Sequence, residues 1–156
     1  MNQTPLYFVE RTFANPVETL WSAWTDAQQL EAWYHPTVLT CVPGTTVSDA
    51  RVGGIWAAAV DVPDYNMVAY FWGTYSVVDE FKQLEHSMHY SQSAEEFAAK
   101  DMSGEAHRIV IDFEAAESGA TRVRFSQFGV MPAEQVPATK AGMESYFDSL
   151  ESYLQQ

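Results

Sequence analysis

The links between strands constrain this chain most. Residues 107–116 (HRIVIDFEAA) and 121–130 (TRVRFSQFGV) are both rich in β-branched and aromatic types and alternate in polarity, as strands do. Only Glu117-Ser118-Gly119-Ala120 separates them, a hairpin-turn composition. Asp79-Glu80-Phe81-Lys82 is a second such turn, between 67–80 (MVAYFWGTYSVVDE) and 82–91 (KQLEHSMHYS). Links this short join only antiparallel neighbours, because a parallel pair needs a crossover of a dozen residues or more. With 52–62 (VGGIWAAAVDV) before them, these stretches predict an antiparallel meander.

What flanks the meander sets the fold class. Residues 6–13 (LYFVERTF) read as a first strand. Asn15, Pro16 and Glu18 then carry the pattern of a capped helix start, and Val17, Leu20, Trp21 and Trp24 recur as one apolar stripe. Thr25 and Gln28 predict a second cap. A second helix then runs to about Trp33, and Pro36 ends it by pushing the residue before it out of the α region. At the other end Met143, Phe147, Leu150 and Leu154 repeat at helical spacing, with Pro137 and Gly142 setting where that helix starts or bends. Strands clustered in the middle with helices at the ends predict an α+β domain spanning 1–156. Residues 91–104 interrupt the strands with a polar, acidic segment, read as a loop or short helix.

Composition removes several functions. Lys+Arg number 8 and Asp+Glu 21, a formal net charge of −13. That field repels phosphate backbones and anionic membrane surfaces, so neither nucleic acid nor membrane is expected as a partner. Cys41 is the sole cysteine, which excludes an internal disulfide and a Cys-rich metal site. The N-terminus shows no basic region followed by an apolar one, and no apolar run approaches bilayer length. A cytoplasmic location is the resulting expectation. No nucleotide or phosphate fingerprint is present, and no cofactor is implied.

Order and residues together resemble the START-like (SRPBCC) superfamily and, within it, the Hsp90-ATPase-activator-like group. The resemblance rests on 9–36 (VERTFANPVETLWSAWTDAQQLEAWYHP), 52–56 (VGGIW), 72–80 (WGTYSVVDE), 119–129 (GATRVRFSQFG) and 141–154 (AGMESYFDSLESYL). It implies a Bet v 1-like helix-grip: an antiparallel β-sheet wrapped around a long C-terminal helix, two short helices after the first strand, and a cavity between sheet and helix. Relatives often carry tryptophan after the glycine of the last helix, where this chain has Met143.

Strand alternation then nominates the cavity wall. Keeping Arg122 and Arg124 outside turns Val123, Phe125 and Gln127 inward. The same logic turns in His107, Ile109, Ile111 and Phe113, then Leu84, His86, Met88 and Tyr90, then Trp56, Ala58 and Val60. On 71–77 the choice is Phe71, Gly73, Tyr75 and Val77, with Ala58 and Gly73 leaving room. The helices add Trp33, Met143 and Phe147, the last two nearest the mouth, whereas Tyr34 and His35 are placed at the rim or surface. Such a wall, apolar with a few polar points, suits a small hydrophobic ligand. His86, His107 and Tyr75 are the residues a cyclase- or hydrolase-like enzyme would use. His86 and His89, three apart on a strand, point to opposite faces and cannot chelate one metal together. Three readings follow: a ligand-binding domain, an enzyme using the same cavity, and an Hsp90 co-chaperone-like interaction module, weakest for want of a companion domain. A homodimer is left open.

Overall fold

A computed structural model describes residues 3–156. The order is β1 (Tyr7–Phe13), α1 (Val17–Thr25), α2 (Ala27–Trp33), β2 (Thr40–Cys41), β3 (Val47–Ser48), β4 (Ile55–Val62), β5 (Met67–Asp79), β6 (Gln83–Ser91), α3 (Ala94–Ala99), β7 (His107–Ala115), β8 (Thr121–Phe128) and α4 (Val136–Leu154). The sheet order is β1-β8-β7-β6-β5-β4-β2, with β3 also on β4, and every pairing is antiparallel. The expected α+β arrangement is therefore present, with α4 held in a curled sheet and two short helices after β1. The two hairpin turns fall where the sequence placed them. Phe81 and Ser118 take positive φ in them, at 66° and 59°.

Helix starts differ from expectation. Pro16 occupies the N-cap of α1 and Asp26 that of α2, and neither makes a side-chain cap bond. The Asn15 carbonyl instead accepts from Thr121 Oγ1 at 2.8 Å, and Thr25 Oγ1 donates back to the Trp21 carbonyl at 2.7 Å. Both helices are fixed by burial rather than by capping: Leu20, Trp21, Trp24, Leu30 and Trp33 are all in the core. Each such side chain gains roughly 1.5–3 kcal/mol over an exposed one. α4 runs 19 residues, about 28 Å at 1.5 Å per residue, with Pro137 in its first turn. Met143, Phe147 and Leu150 are buried along it, and Leu154 is partly so. Arg11 on β1 reaches α4, donating to Asp148 at 2.8 Å and Glu151 at 3.1 Å.

One register change corrects the expected inward set. Tyr75 pairs with His86, but Val77 pairs with Glu85, so Ser76 is an extra residue in a β-bulge. Beyond it the parity reverses. Val78, paired with inward Leu84, packs on the main core, and Val77 lies opposite outward Glu85.

The sheet has a second buried layer on its outer face. α3, within the 91–104 segment, sets Phe97 on Trp72, Ala57 and Ala59. Ser93 caps α3, accepting from the Glu96 N–H, and Ser91 donates to the Glu96 carboxylate. Trp72 Nε1 donates to the Asp101 carbonyl at 3.1 Å, tying the return of the segment to the sheet. Among the described residues no helix is long and apolar enough to cross a membrane.

Candidate functional site

The inner face of the sheet carries two spaces of very different size. The deeper is a void of about 10 Å³ lined by Trp24, Leu30, Tyr34, Trp56, Tyr75, Leu84, His86 and Ile111. The outer is an open groove of about 590 Å³ at the mouth of the grip. Its wall is Phe71, Met88, Tyr90, Glu105, Ala106, His107, Val130, Met131, Pro132, Gln135 and Thr139. Where the resemblance implies a cavity between sheet and helix, the space at depth is the small void, and the open volume lies beside the start of α4.

The small size of the void has identifiable causes. Trp33 donates its indole N–H to the Ala23 carbonyl at 2.8 Å and meets Trp24 edge-on at 4.5 Å between centroids. Its own carbonyl accepts from Ser149 Oγ of α4 at 2.7 Å. Tyr34, expected at the rim, is 3% exposed. Its ring meets those of Tyr146 at 4.9 Å and Trp56 at 5.9 Å, and burial pushes its hydroxyl well above the ordinary pKa. Nor does Gly73 leave room. A Cβ there would stand 1.9 Å from the Ser87 carbonyl oxygen and 2.7 Å from Trp56 Nε1, so the glycine is needed for the indole to cross.

Of the residues nominated from sequence, Trp56, Tyr75, Leu84, His86 and Ile111 line the void. Phe71, Met88, Tyr90 and His107 line the groove. Trp33, Ala58, Ile109, Phe113, Phe125, Gln127, Met143 and Phe147 are buried and line neither. The helix-side wall of the groove is Gln135 and Thr139, at the start of α4, and not Met143 and Phe147 farther along it. Tyr90, expected to point inward, is 52% exposed at the sheet's end. Sequence reasoning missed Trp24, Leu30 and Tyr34 in the void and the whole 130–139 wall. Only the Met131-Pro132 pair just before the helix signalled that wall.

The polar groups are tightly committed. Tyr7 Oη donates to Gln127 Oε1 at 2.5 Å, and Gln127 Nε2 donates to His107 Nδ1 at 2.6 Å. The proton of His107 therefore sits on Nε2, which donates to the Val130 carbonyl at 3.2 Å. Gly129, at φ 155°, lies against the same ring, where a Cβ would be 2.4 Å from it. The chain Tyr7–Gln127–His107–Val130 fastens the connector and leaves His107 no free nitrogen.

His86 is held differently. Its Nδ1 lies 2.9 Å from the Ser87 carbonyl, which also accepts from Trp56 Nε1 at 2.8 Å. A carbonyl only accepts, so Nδ1 carries the hydrogen and Nε2 a lone pair. Burial lowers the His86 pKa to about 4, keeping the ring neutral. Tyr75 Oη shares a 2.8 Å hydrogen bond with Ser48 Oγ. Trp24 is the contrasting case: its Nε1 is buried and has no acceptor among the described residues. An indole N–H left so costs about 1–3 kcal/mol. Burial pushes the Cys41 thiol up to about 12, and its Sγ donates to the Tyr34 carbonyl at 3.2 Å, so it is no nucleophile at neutral pH. Among the described residues no cluster of three metal-ligating side chains occurs.

The fold has close counterparts among solved structures. A protein from Silicibacter pomeroyi described as AHSA1 is 18% identical, covering 96% of each chain with a TM-score of 0.78. One from Staphylococcus epidermidis is 24% identical over 99% of this chain and 93% of its own, with a TM-score of 0.77. One from Chromobacterium violaceum is 18% identical over 94% of each, with a TM-score of 0.76. Identities this low speak for the fold alone. Among curated proteins none matches. The family described as Activator of Hsp90 ATPase homolog 1-like protein matches residues 14–155.

Proposed function

The chain belongs to the Activator of Hsp90 ATPase homolog 1-like family, and on that premise we propose that it binds a small apolar or aromatic molecule at the mouth of its helix-grip. The observation that carries this reading is the open groove of about 590 Å³, apolar through Phe71, Met88, Val130, Met131 and Pro132, with Glu105, His107, Gln135 and Thr139 as polar points. A few hundred cubic ångströms of mainly apolar wall with sparse polar groups is the usual form of a small-molecule site. The net charge of −13 selects against anionic ligands there.

The enzyme reading draws less support. Both ring nitrogens of His107 are occupied, Tyr75 is tied to Ser48, and His86 lies in the void rather than on the groove.

Titration with the neutral fluorophore N-phenyl-1-naphthylamine tests the binding reading. Saturable enhancement in the micromolar range is expected, with at least about tenfold weaker binding in Thr139→Trp, where the indole fills the groove. No saturable signal up to about 1 mM overturns the reading.

A further inference from the structure

The void beneath the groove pairs one donor with one acceptor. Trp24 is 3% exposed and lines the void, and its Nε1–H has no acceptor among the described residues. His86 lines the same void, and with Nδ1 given to the Ser87 carbonyl its Nε2 carries a lone pair. The surrounding wall includes Leu30, Leu84 and Ile111. A volume of about 10 Å³ admits one heavy atom and no ring.

The two spaces are adjacent along the strands. His86 and Met88 are two apart on β6 and share a facing, so the groove begins one strand step, about 7 Å, beyond the void. Met88 and Phe71 pack over the main core at that step. Methionine is the side chain best able to change rotamer and yield to a ring.

We infer that the inner end of this path recognises a hydroxyl group: Trp24 Nε1–H donates to the oxygen of an otherwise apolar ligand, and His86 Nε2 accepts its hydrogen. The inference rests on the binding reading above and specifies its ligand as a phenol or other neutral alcohol. The complementarity is particular. A hydroxyl both accepts and donates, answering both groups at once. A carboxylate would meet the His86 lone pair and could not donate. An ammonium could not accept from Trp24. A hydrocarbon leaves both groups unpaired.

The test compares para-cresol with para-xylene, which differ by hydroxyl for methyl at one ring position. Titrations are followed by calorimetry and by the indole resonances in ¹H–¹⁵N spectra. Para-cresol is expected to bind at least about tenfold more tightly, although para-xylene is the more hydrophobic. The Trp24 indole resonance should move with para-cresol only. Trp24→Phe, which keeps the ring and removes the N–H, should bring the two affinities together, and His86→Phe should do the same. If wild-type protein binds para-xylene as tightly as para-cresol, the hydroxyl inference fails and the binding reading stands. If Trp24→Phe keeps the full preference, the assignment to this pair fails. If neither compound binds and N-phenyl-1-naphthylamine does not either, both fall together.

Discussion

β5 and β6 carry a tryptophan–histidine pair on the outer face of the sheet and share another on the inner face with β4. Inside, Trp56 and His86 lie 4.4 Å apart between ring centroids; outside, Trp72 and His89 stack at 5.6 Å. In each pair the indole donates to a backbone carbonyl, Ser87 for Trp56 and Asp101 for Trp72. The covers differ. The inner pair lies under α1, α2 and α4, in a cluster joining nearly every element. The outer pair lies under one six-residue helix and a loop. Alternation supplies both faces with the same chemistry, and the number of elements laid over each decides whether it becomes a core or a clamp.

The comparison can be broken in several places. Trp33→Ala should cost about 3–5 kcal/mol in urea unfolding, since it empties the wedge that covers the inner pair and frees the Ala23 carbonyl. A loss under about 1 kcal/mol would show that the inner cover is not what holds the grip. Next comes pH. Unfolded His86 takes a proton near 6.5, whereas the folded protein refuses it until about 4. The unfolded state therefore binds more protons in that window, and stability falls as pH drops through it, by roughly 3 kcal/mol in all. His86→Leu should flatten that part of the pH profile of the urea midpoint; an unchanged slope would remove burial of His86 as its source.

On the outer face the effects should be smaller and local. Phe97→Ala is expected to cost about 2 kcal/mol, less than the usual 3–5, because residues 92–104 can open without unfolding the sheet. Hydrogen exchange should speed up in that segment and stay slow in β7 and β8; uniform acceleration would erase the distinction between core and clamp. Trp72→Phe should cost least, about 1 kcal/mol, because the exposed Asp101 carbonyl can turn to water.

The architecture was legible because it follows from link length and periodicity. Glu117–Ala120 and Asp79–Lys82 read as hairpin turns, and the Met143–Leu154 stripe as a helix with one buried face. The facing of β7 and β8 was equally open to reading, since arginines mark their outer sides. β5 was not, because a bulge has no composition of its own: Tyr75-Ser76-Val77-Val78 alternates plausibly in either phase. The site was the least legible part. A cavity is what packing leaves over. Gly73 looks like empty space in a sequence and is occupied here by Trp56 from the neighbouring strand. Tyr34 follows a helix stop and so reads as surface, yet the chain turns at Pro36 and folds that ring under α4. The groove is walled in part by the connector between β8 and α4, and no periodicity encodes where a connector lies.

The bulge at Ser76 has a consequence for how this chain can change length. Elsewhere in a strand, losing one residue turns everything beyond it inside out, exchanging core for surface. Deleting Ser76 would do the opposite. Tyr75 would still face His86, Val77 would still face Glu85 and Val78 would still face Leu84, now in unbroken succession. Ser76 is thus a place in the sheet where chain length and side-chain facing are uncoupled. A single-residue deletion there removes the bulge and the Ser76–Glu85 hydrogen bond and leaves the cross-strand pairs on either side in place.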